Sequence, residues 1–421
     1  MSFIKQVICI FTHRKVNIIR LMKLHRTLVQ AVIDTLQHIF IEGVYADKAV
    51  EQVLKQNSRW GSRDRRFIAE TTYGMVRWWR LIEQSVGIEN AETTSQFWKL
   101  AGAWLIINEI ELPPWEEFSS IDKNKILENY SNAKQIRKYR ESIPDWLDEI
   151  GSKELGETVW ETELHELNKE AQVVLRVNTL KINKVQLHRL LEEESVETIP
   201  VGDYPDALLL MKRQNLQQTN EYKQGLFEVQ DASSQLIAPF LQLQEGLTVI
   251  DACAGAGGKS LHIAAVMKNK GRIVSMDLEE RKLVELKKRA ERAGVSIIET
   301  KIINADAINK LKNTADRLLL DVPCSGLGVM RRTPDAKWKL NLDFLSRVKN
   351  TQQEIITNYS QVLKPGGLMV YATCSILPSE NQNQVKVFLE KNKNFEFIED
   401  RKILPSEGFD GFYMAAIKRI S

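Results

Sequence analysis

Residues 249–265 read VIDACAGAGGKSLHIAA: an apolar run closing on an acid, a turn of small residues and glycine, then apolar residues at helical spacing. That order describes a strand running through a glycine-rich turn into a helix, the unit from which parallel α/β sheets are wound and a common cradle for phosphates and nucleosides. The loop narrowly misses two fingerprints. Gly258-Lys259-Ser260 suits the end of a P-loop, but the first glycine of that pattern falls on Cys253. Gly255 and Gly257 suit a dinucleotide loop, but its third glycine falls on Ser260. Taken alone, the loop leaves the cofactor open.

Downstream, strand and helix signals alternate to the end of the chain. Strands are expected at LTVIDAC, RIVSMD, IIETKII, DRLLLDVP and GLMVYATC, with helices at LEERKLVELKKRAERAG and DFLSRVKNTQQEIITNYSQVLK between them. This predicts a doubly wound α/β domain over 231–421, with ligands gathered at the carboxyl ends of its strands. Asp277 closes the second strand 20 residues after Gly257, the place of an acid that bonds ribose hydroxyls. Asp306 follows the third strand and is placed either to reach a base edge or to cap a helix. With the loop and Asp277, the pattern favours a nucleoside-bearing cofactor.

The fourth strand runs into DVPCSGLGVMRRTPDAKW and the fifth into YATCSILPSEN. Each carries a cysteine just past its apolar run, so Cys324 and Cys374 are expected side by side although 50 residues separate them. A buried cysteine is often only a small hydrophobe. Here both stand where the strand has given way to loops rich in proline and glycine, and paired thiols beside a nucleoside cofactor point to covalent catalysis. The chain has four cysteines, no C-x-x-C pair and no cysteine–histidine cluster at ligand spacing, so neither a disulfide framework nor a metal is expected, and a reducing cytoplasmic setting is.

The amino-terminal part is different in kind. Apolar positions 28, 29, 32, 33, 36, 39 and 40 recur at helical spacing, and residues 23–140 are read as an all-helical domain. Within it Arg59, Arg63, Arg65, Arg66, Arg77 and Arg80 stand among Trp60, Trp78 and Trp79; this suits nucleic acid, or equally a solvated basic face over a tryptophan core. Residues 141–230 are read as a helical connector and a small α+β (RRM-like) module, in which LRVN is expected as a strand whose polar residues face water. Residues 1–22 are expected to be an extension, with Met22 as the natural start. A net charge of +3 permits a polyanionic partner without demanding one, and no run is long and apolar enough for a membrane span.

DACAGAGGKS, DVPCSGLGVMRRTPDAKW and YATCSILPSEN together resemble the Sun-type (NSUN/RsmB-like) RNA cytosine-C5 methyltransferases, with the bacterial 16S ribosomal RNA group the most similar. LRVNTLK, EVQDASSQL and GFDGFYMAAIKR resemble further family segments, and DRRFIAETTYGMVR resembles the NusB-like domain that precedes them, so the likeness runs from about residue 23 to the end. It implies a Rossmann-like S-adenosylmethionine-dependent enzyme that forms 5-methylcytosine in RNA, ribosomal RNA by the resemblance of the helical domain, with transfer RNA as the alternative substrate. Cys374 would be the nucleophile and Cys324 would help release product; Asp321 and Lys259 would support the chemistry. Cys253, Ala254, Gly255, Ala256, Gly257, Gly258, Lys259, Asp277, Asp306 and Asp321 would bind the cofactor or position the base. Where the family commonly has Ala-Pro, this chain has Gly255-Ala256, which loosens the turn. Arg331, Arg332, Lys337 and Trp338 are expected to border the site and clamp an unpaired cytosine. A P-loop-like ATPase and an inactive RNA-binding scaffold are the rival readings.

Overall fold

The computed structural model describes residues 24–421, so the expected extension lies outside the described residues. The chain forms two compact units, one of residues up to Asn168 with Arg332–Asn341, the other of Lys169–Arg331 with Leu342–Ser421.

The first unit is helical: α1 Arg26–Phe40, α2 Ala46–Gln56, α3 Ser62–Arg77, α4 Trp79–Val86, α5 Thr94–Ile107, α6 Lys123–Ala133, α7 Asp145–Leu155 and α8 Glu157–Leu167. The helix α1 buries one stripe, turning Leu28, Val29, Val32, Leu36 and Ile39 inward, whereas α5 is buried on most of its sides. A reciprocal cap starts α5, with Gln96 N–H donating to Thr93 Oγ1 at 3.4 Å and Thr93 N–H to Gln96 Oε1 at 2.9 Å. The helices α7 and α8 lie beyond the boundary expected near residue 140. Arg137 binds them back through Asp148 at 2.9 Å, and Arg140 through Glu161 at 2.5 Å. Between them Gly151 leaves room for Trp160, whose ring a Cβ there would meet at 2.2 Å.

In the second unit, a small antiparallel sheet of order β2-β3-β1-β4 comprises β1 Val174–Val177, β2 Thr198–Pro200, β3 Ala207–Leu210 and β4 Phe227–Val229, with α9 Lys184–Glu193 packed on it through Leu187 and Leu191. The main sheet holds β5 Thr248–Asp251, β6 Arg272–Asp277, β7 Ile298–Ile302, β8 Ala315–Asp321, β9 Leu363–Thr373, β10 Phe395–Ile403 and β11 Phe412–Arg419 in the order β10-β11-β9-β8-β5-β6-β7. Helices α10 Gly258–Val266, α11 Glu280–Ala293, α12 Ala305–Lys310, α13 Leu342–Tyr359 and α14 Gln382–Lys391 connect them.

The strands from β7 to β9 are parallel, while β10 and β11 add an antiparallel edge that the strand signals did not include. Two apolar layers sandwich the sheet, and strand order reverses between β5 and β8, which places the switch point beside the 252–257 loop. Of the stretch expected as a helical connector and small α+β module over 141–230, the part from Lys169 shares a compact unit with the sheet expected over 231–421, and α7 and α8 group with the first unit. Among the described residues no helix is long and apolar enough to cross a membrane.

Candidate active site

The loop after β5 is held by neighbouring elements and left open on one side. Gly255 adopts φ +54° and Gly257 φ +86°, left-handed values that favour glycine. A Cβ on Gly257 would lie 2.4 Å from Leu286 Cγ, whereas one on Gly255 would meet nothing within 4 Å. The backbone is therefore bare above Gly255 and closely packed beneath Gly257. Gly255 N–H donates to Asp277 Oδ2 at 2.9 Å and Glu279 N–H to Asp277 Oδ1 at 2.9 Å, so the acid that closes β6 is fixed beside the loop. Arg289 donates to Ala256 O at 2.8 Å and Arg176 to Gly258 O at 2.6 Å. These two guanidinium groups supply the restraint that Gly255-Ala256 withholds by lacking proline. Open space above the turn, a carboxylate at the next strand end and the helix start at Gly258 fit the nucleoside end of S-adenosylmethionine.

Arg176 belongs to LRVN, and its placement corrects the expectation of a water-facing strand. Its side chain is buried and also donates to Gln230 Oε1, while Asn178 donates to Gly225 O and Ala293 O at 2.8 and 2.9 Å. Glu228 on β4 pairs with Arg289 at 2.8 Å and Arg292 at 2.5 Å, so the small sheet braces the loop through this cluster.

Beneath the loop lies Asp251, which sequence reasoning noted only as the acid that ends a strand. It is fully buried and accepts from Ser260 Oγ at 2.6 Å. Burial pushes its pKa up to about 6, with Ser260 opposing and Asp321 reinforcing. Burial likewise pushes the Cys253 thiol up, helped by Asp251, Asp321 and Asp277, so Cys253 lines the loop as a neutral thiol. Ala254 N–H pairs with Met276 O at 2.9 Å and holds the loop against β6. Asp306 stands in the first turn of α12, where its 72% exposed side chain pairs with Lys310 at 2.7 Å. Asn304, not Asp306, caps that helix, accepting from Ala307 N–H at 2.8 Å.

Parallel pairing of β8 with β9, Asp321 opposite Ala372, brings their carboxyl ends level. Cys324 Sγ and Cys374 Sγ lie 3.2 Å apart across the two following loops. Gly328 makes this closeness possible: its N–H donates to Cys374 O at 2.9 Å, and a Cβ there would meet that oxygen at 2.8 Å and Gly411 O at 2.2 Å. The hydrogen bond to Cys374 raises the Cys324 pKa well above its ordinary value, with burial and the charges of Cys374 and Glu380 acting the same way. Lys259 Nζ reaches across from α10 to Asp321 Oδ2 at 2.5 Å and stands 5.5 Å from the Phe412 ring centre. Burial pulls its pKa down, but Asp321, Cys374 and Asp251 more than offset this and hold the amine charged. A fixed cation thus faces the thiol pair.

The basic loop after Cys324 does not form the expected clamp. Arg331 is buried and donates to Pro405 O at 2.6 Å and Gly408 O at 3.0 Å. Lys337 is 0% exposed, its amine donating to Arg77 O at 2.8 Å and Asn168 Oδ1 at 3.2 Å, and the Trp338 indole donates to Val76 O at 2.7 Å. Both belong to the helical unit, and a fully buried amine cannot reach a phosphate. Trp79 is also core, stacked on Phe40 at 3.9 Å. Of the arginines around it, Arg80 is committed to Ile143 O and Asp145, while Arg59 and Arg63 are exposed.

A model of the 16S rRNA methyltransferase RsmB/F family matches residues 238–418, and one of its ferredoxin-like domain matches 143–217. The ribosomal RNA small subunit methyltransferase B of Vibrio cholerae is 35% identical over 66% of this chain and 65% of its own length. That of Vibrio vulnificus is 33% identical over 70% of each. The chain thus spans about two thirds of the length of these curated relatives. Among solved structures, NSun6 from Pyrococcus horikoshii with SFG superposes with a TM-score of 0.62 at 20% identity, over 67% of this chain and all of that one, a likeness of fold. With a Rossmann-like sheet, a ferredoxin-like module, a helical amino-terminal region and this degree of identity, the chain belongs to the RsmB/F family of 16S ribosomal RNA methyltransferases.

Proposed function

We propose that this protein is an S-adenosylmethionine-dependent ribosomal RNA methyltransferase that forms 5-methylcytosine through a covalent link between Cys374 and the base. The observation that carries the reading is the pair of thiols 3.2 Å apart at adjacent parallel strand ends, faced by the charged Lys259. When bound, S-adenosylmethionine supplies the methyl group; the 252–259 loop, with Asp277 and, at the rim, Asp306, holds it. Carbon-5 of cytosine is a weak nucleophile until a group adds at carbon-6. The Cys374 thiolate forms that Sγ–C6 bond and pushes an electron pair towards carbon-5. Lys259 stabilises the thiolate and holds Asp321 by one oxygen, so that the carboxylate meets the cytosine edge as charge develops.

Release follows from the coupling of the two thiols. While Cys374 is free, its hydrogen bond and charge keep Cys324 protonated. Once Cys374 is a thioether its share of that restraint is gone, while burial and Glu380 remain; Cys324 then passes its own proton to water and, as the thiolate, takes the carbon-5 proton. The pair left on carbon-5 re-forms the C5–C6 double bond, and the Sγ–C6 bond breaks to return the Cys374 thiolate. RNA is the partner, with the exposed Arg59 and Arg63 available for phosphate, and free thiols accord with a reducing, cytoplasmic setting. The P-loop reading gains no support, since Lys259 is committed to Asp321.

Incubation with labelled S-adenosylmethionine and 16S ribosomal RNA is expected to yield 5-methylcytosine, with transfer RNA inert. Cys324→Ala is expected to accumulate a denaturation-resistant protein–RNA adduct that disappears in Cys324→Ala/Cys374→Ala. Equal adduct without Cys374 reverses the roles, and methylation of another atom ends the mechanism.

A further inference from the structure

Six residues after Cys374, in the turn Pro378–Glu380, the Glu380 side chain is buried at 0% exposure. A carboxylate in such a place is tolerated only if its oxygens are met by donors. Here they are met by four. Oε2 accepts Ser325 N–H at 2.7 Å and Gln352 Nε2–H at 3.1 Å; Oε1 accepts Ser325 Oγ–H at 2.5 Å and Ser375 Oγ–H at 2.6 Å. Ser325 directly follows Cys324, and Ser375 directly follows Cys374.

We propose that Glu380 is a positioning residue that sets the spacing of the two catalytic thiols by clamping the serine that follows each of them. This rests on the functional reading above, in which both cysteines act on one base. The clamp is braced on all sides. Tyr371 OH donates to Glu380 O at 2.7 Å, Gln352 Nε2 also donates to Pro323 O at 3.0 Å, and Asn381 Nδ2 donates to Ser375 O at 2.9 Å. With all four donor contacts taken and no solvent access, Glu380 does not itself touch the base. It converts two loops from different strands into one rigid sulfur pair, and it does so with charge-assisted bonds, the stronger kind.

The direct test uses Glu380→Gln in the full-length protein. An amide is a near-isostere, but it accepts from only one pair of the four donors. Spacing is read without catalysis by phenylarsine oxide, whose arsenic forms two As–S bonds with two neighbouring thiols and releases one water. Wild type is expected to capture the arsenical with the loss of both thiols. Cys324→Ala serves as the monothiol control. Glu380→Gln, folded by circular dichroism and thermal melting, is expected to bind it about tenfold more weakly, and to lose kcat by about 10- to 100-fold with an unchanged KM for S-adenosylmethionine. Should Glu380→Gln fail to fold, Ser325→Ala/Ser375→Ala, which deletes two of the four donors, is expected to move both readouts the same way. Folded variants with wild-type arsenical affinity overturn the proposal, whether or not kcat falls, because the spacing would then not depend on the clamp. If wild type binds the arsenical, Glu380→Gln does not, and no 5-methylcytosine forms in either, the clamp stands and the functional reading fails.

Discussion

Asp251 shows what a single residue contributes and what it costs. An unfolded chain ionises its aspartates near pH 4, whereas burial holds this one protonated until about pH 6. A folded-state pKa above the unfolded value means that the native state binds the proton more tightly. The stabilisation is fully present below about pH 4 and is lost as pH rises through 6, on the order of 3 kcal/mol. Asp251→Asn cannot ionise, so its stability relative to wild type is expected to grow by that amount between pH 4 and pH 7. Urea unfolding of both proteins across this range measures it; parallel stability curves would contradict the assignment. The sequence exposed the cysteines because each breaks an apolar run at a strand end, but it hid the consequence of Asp251. That consequence depends on how deeply Asp251 is covered and on which carboxylates share the pocket, and neither is encoded in spacing. Glu380 was hidden for the same reason, since its donors come from positions 325, 352 and 375.

At the scale of elements, the five parallel strands and their connecting helices were legible because β-branched runs of four to eight residues alternate with helical periodicity. The edge pair β10–β11 was not. Phe395–Ile403 is largely exposed and charged, and Phe412–Arg419 is apolar without alternation, a pattern that does not separate a central strand from a buried helix. LRVN was misread because the ligands of Arg176 lie at positions 230 and 258, on other elements. The loop's order is likewise a property of its neighbours. Arg289→Ala, which frees Ala256 O, is expected to raise the Kd for S-adenosylmethionine about tenfold in calorimetry and to leave kcat unchanged at saturating cofactor. An unaltered Kd would mean that the turn is rigid without its guanidinium brace.

At the scale of the whole molecule, the helical unit is assembled from two stretches of chain, and the shorter one, Arg332–Asn341, lies in sequence between β8 and β9 of the main sheet. It brings a fully buried lysine, an indole packed into the helical core and Asp335, whose carboxylate accepts Ala46 N–H at 2.9 Å. A fragment of residues 24–168 therefore lacks part of its own interior. It is expected to be destabilised by on the order of 3 kcal/mol relative to the same fragment mixed with a saturating 330–343 peptide, as thermal melting with and without peptide would show. A fragment indifferent to the peptide would mean that the insertion is dispensable. The arrangement also bears on inheritance. Recombination at a single junction near residue 168 would pass on a helical unit without its plug, and leave the remaining chain carrying a plug that belongs to the unit it has lost.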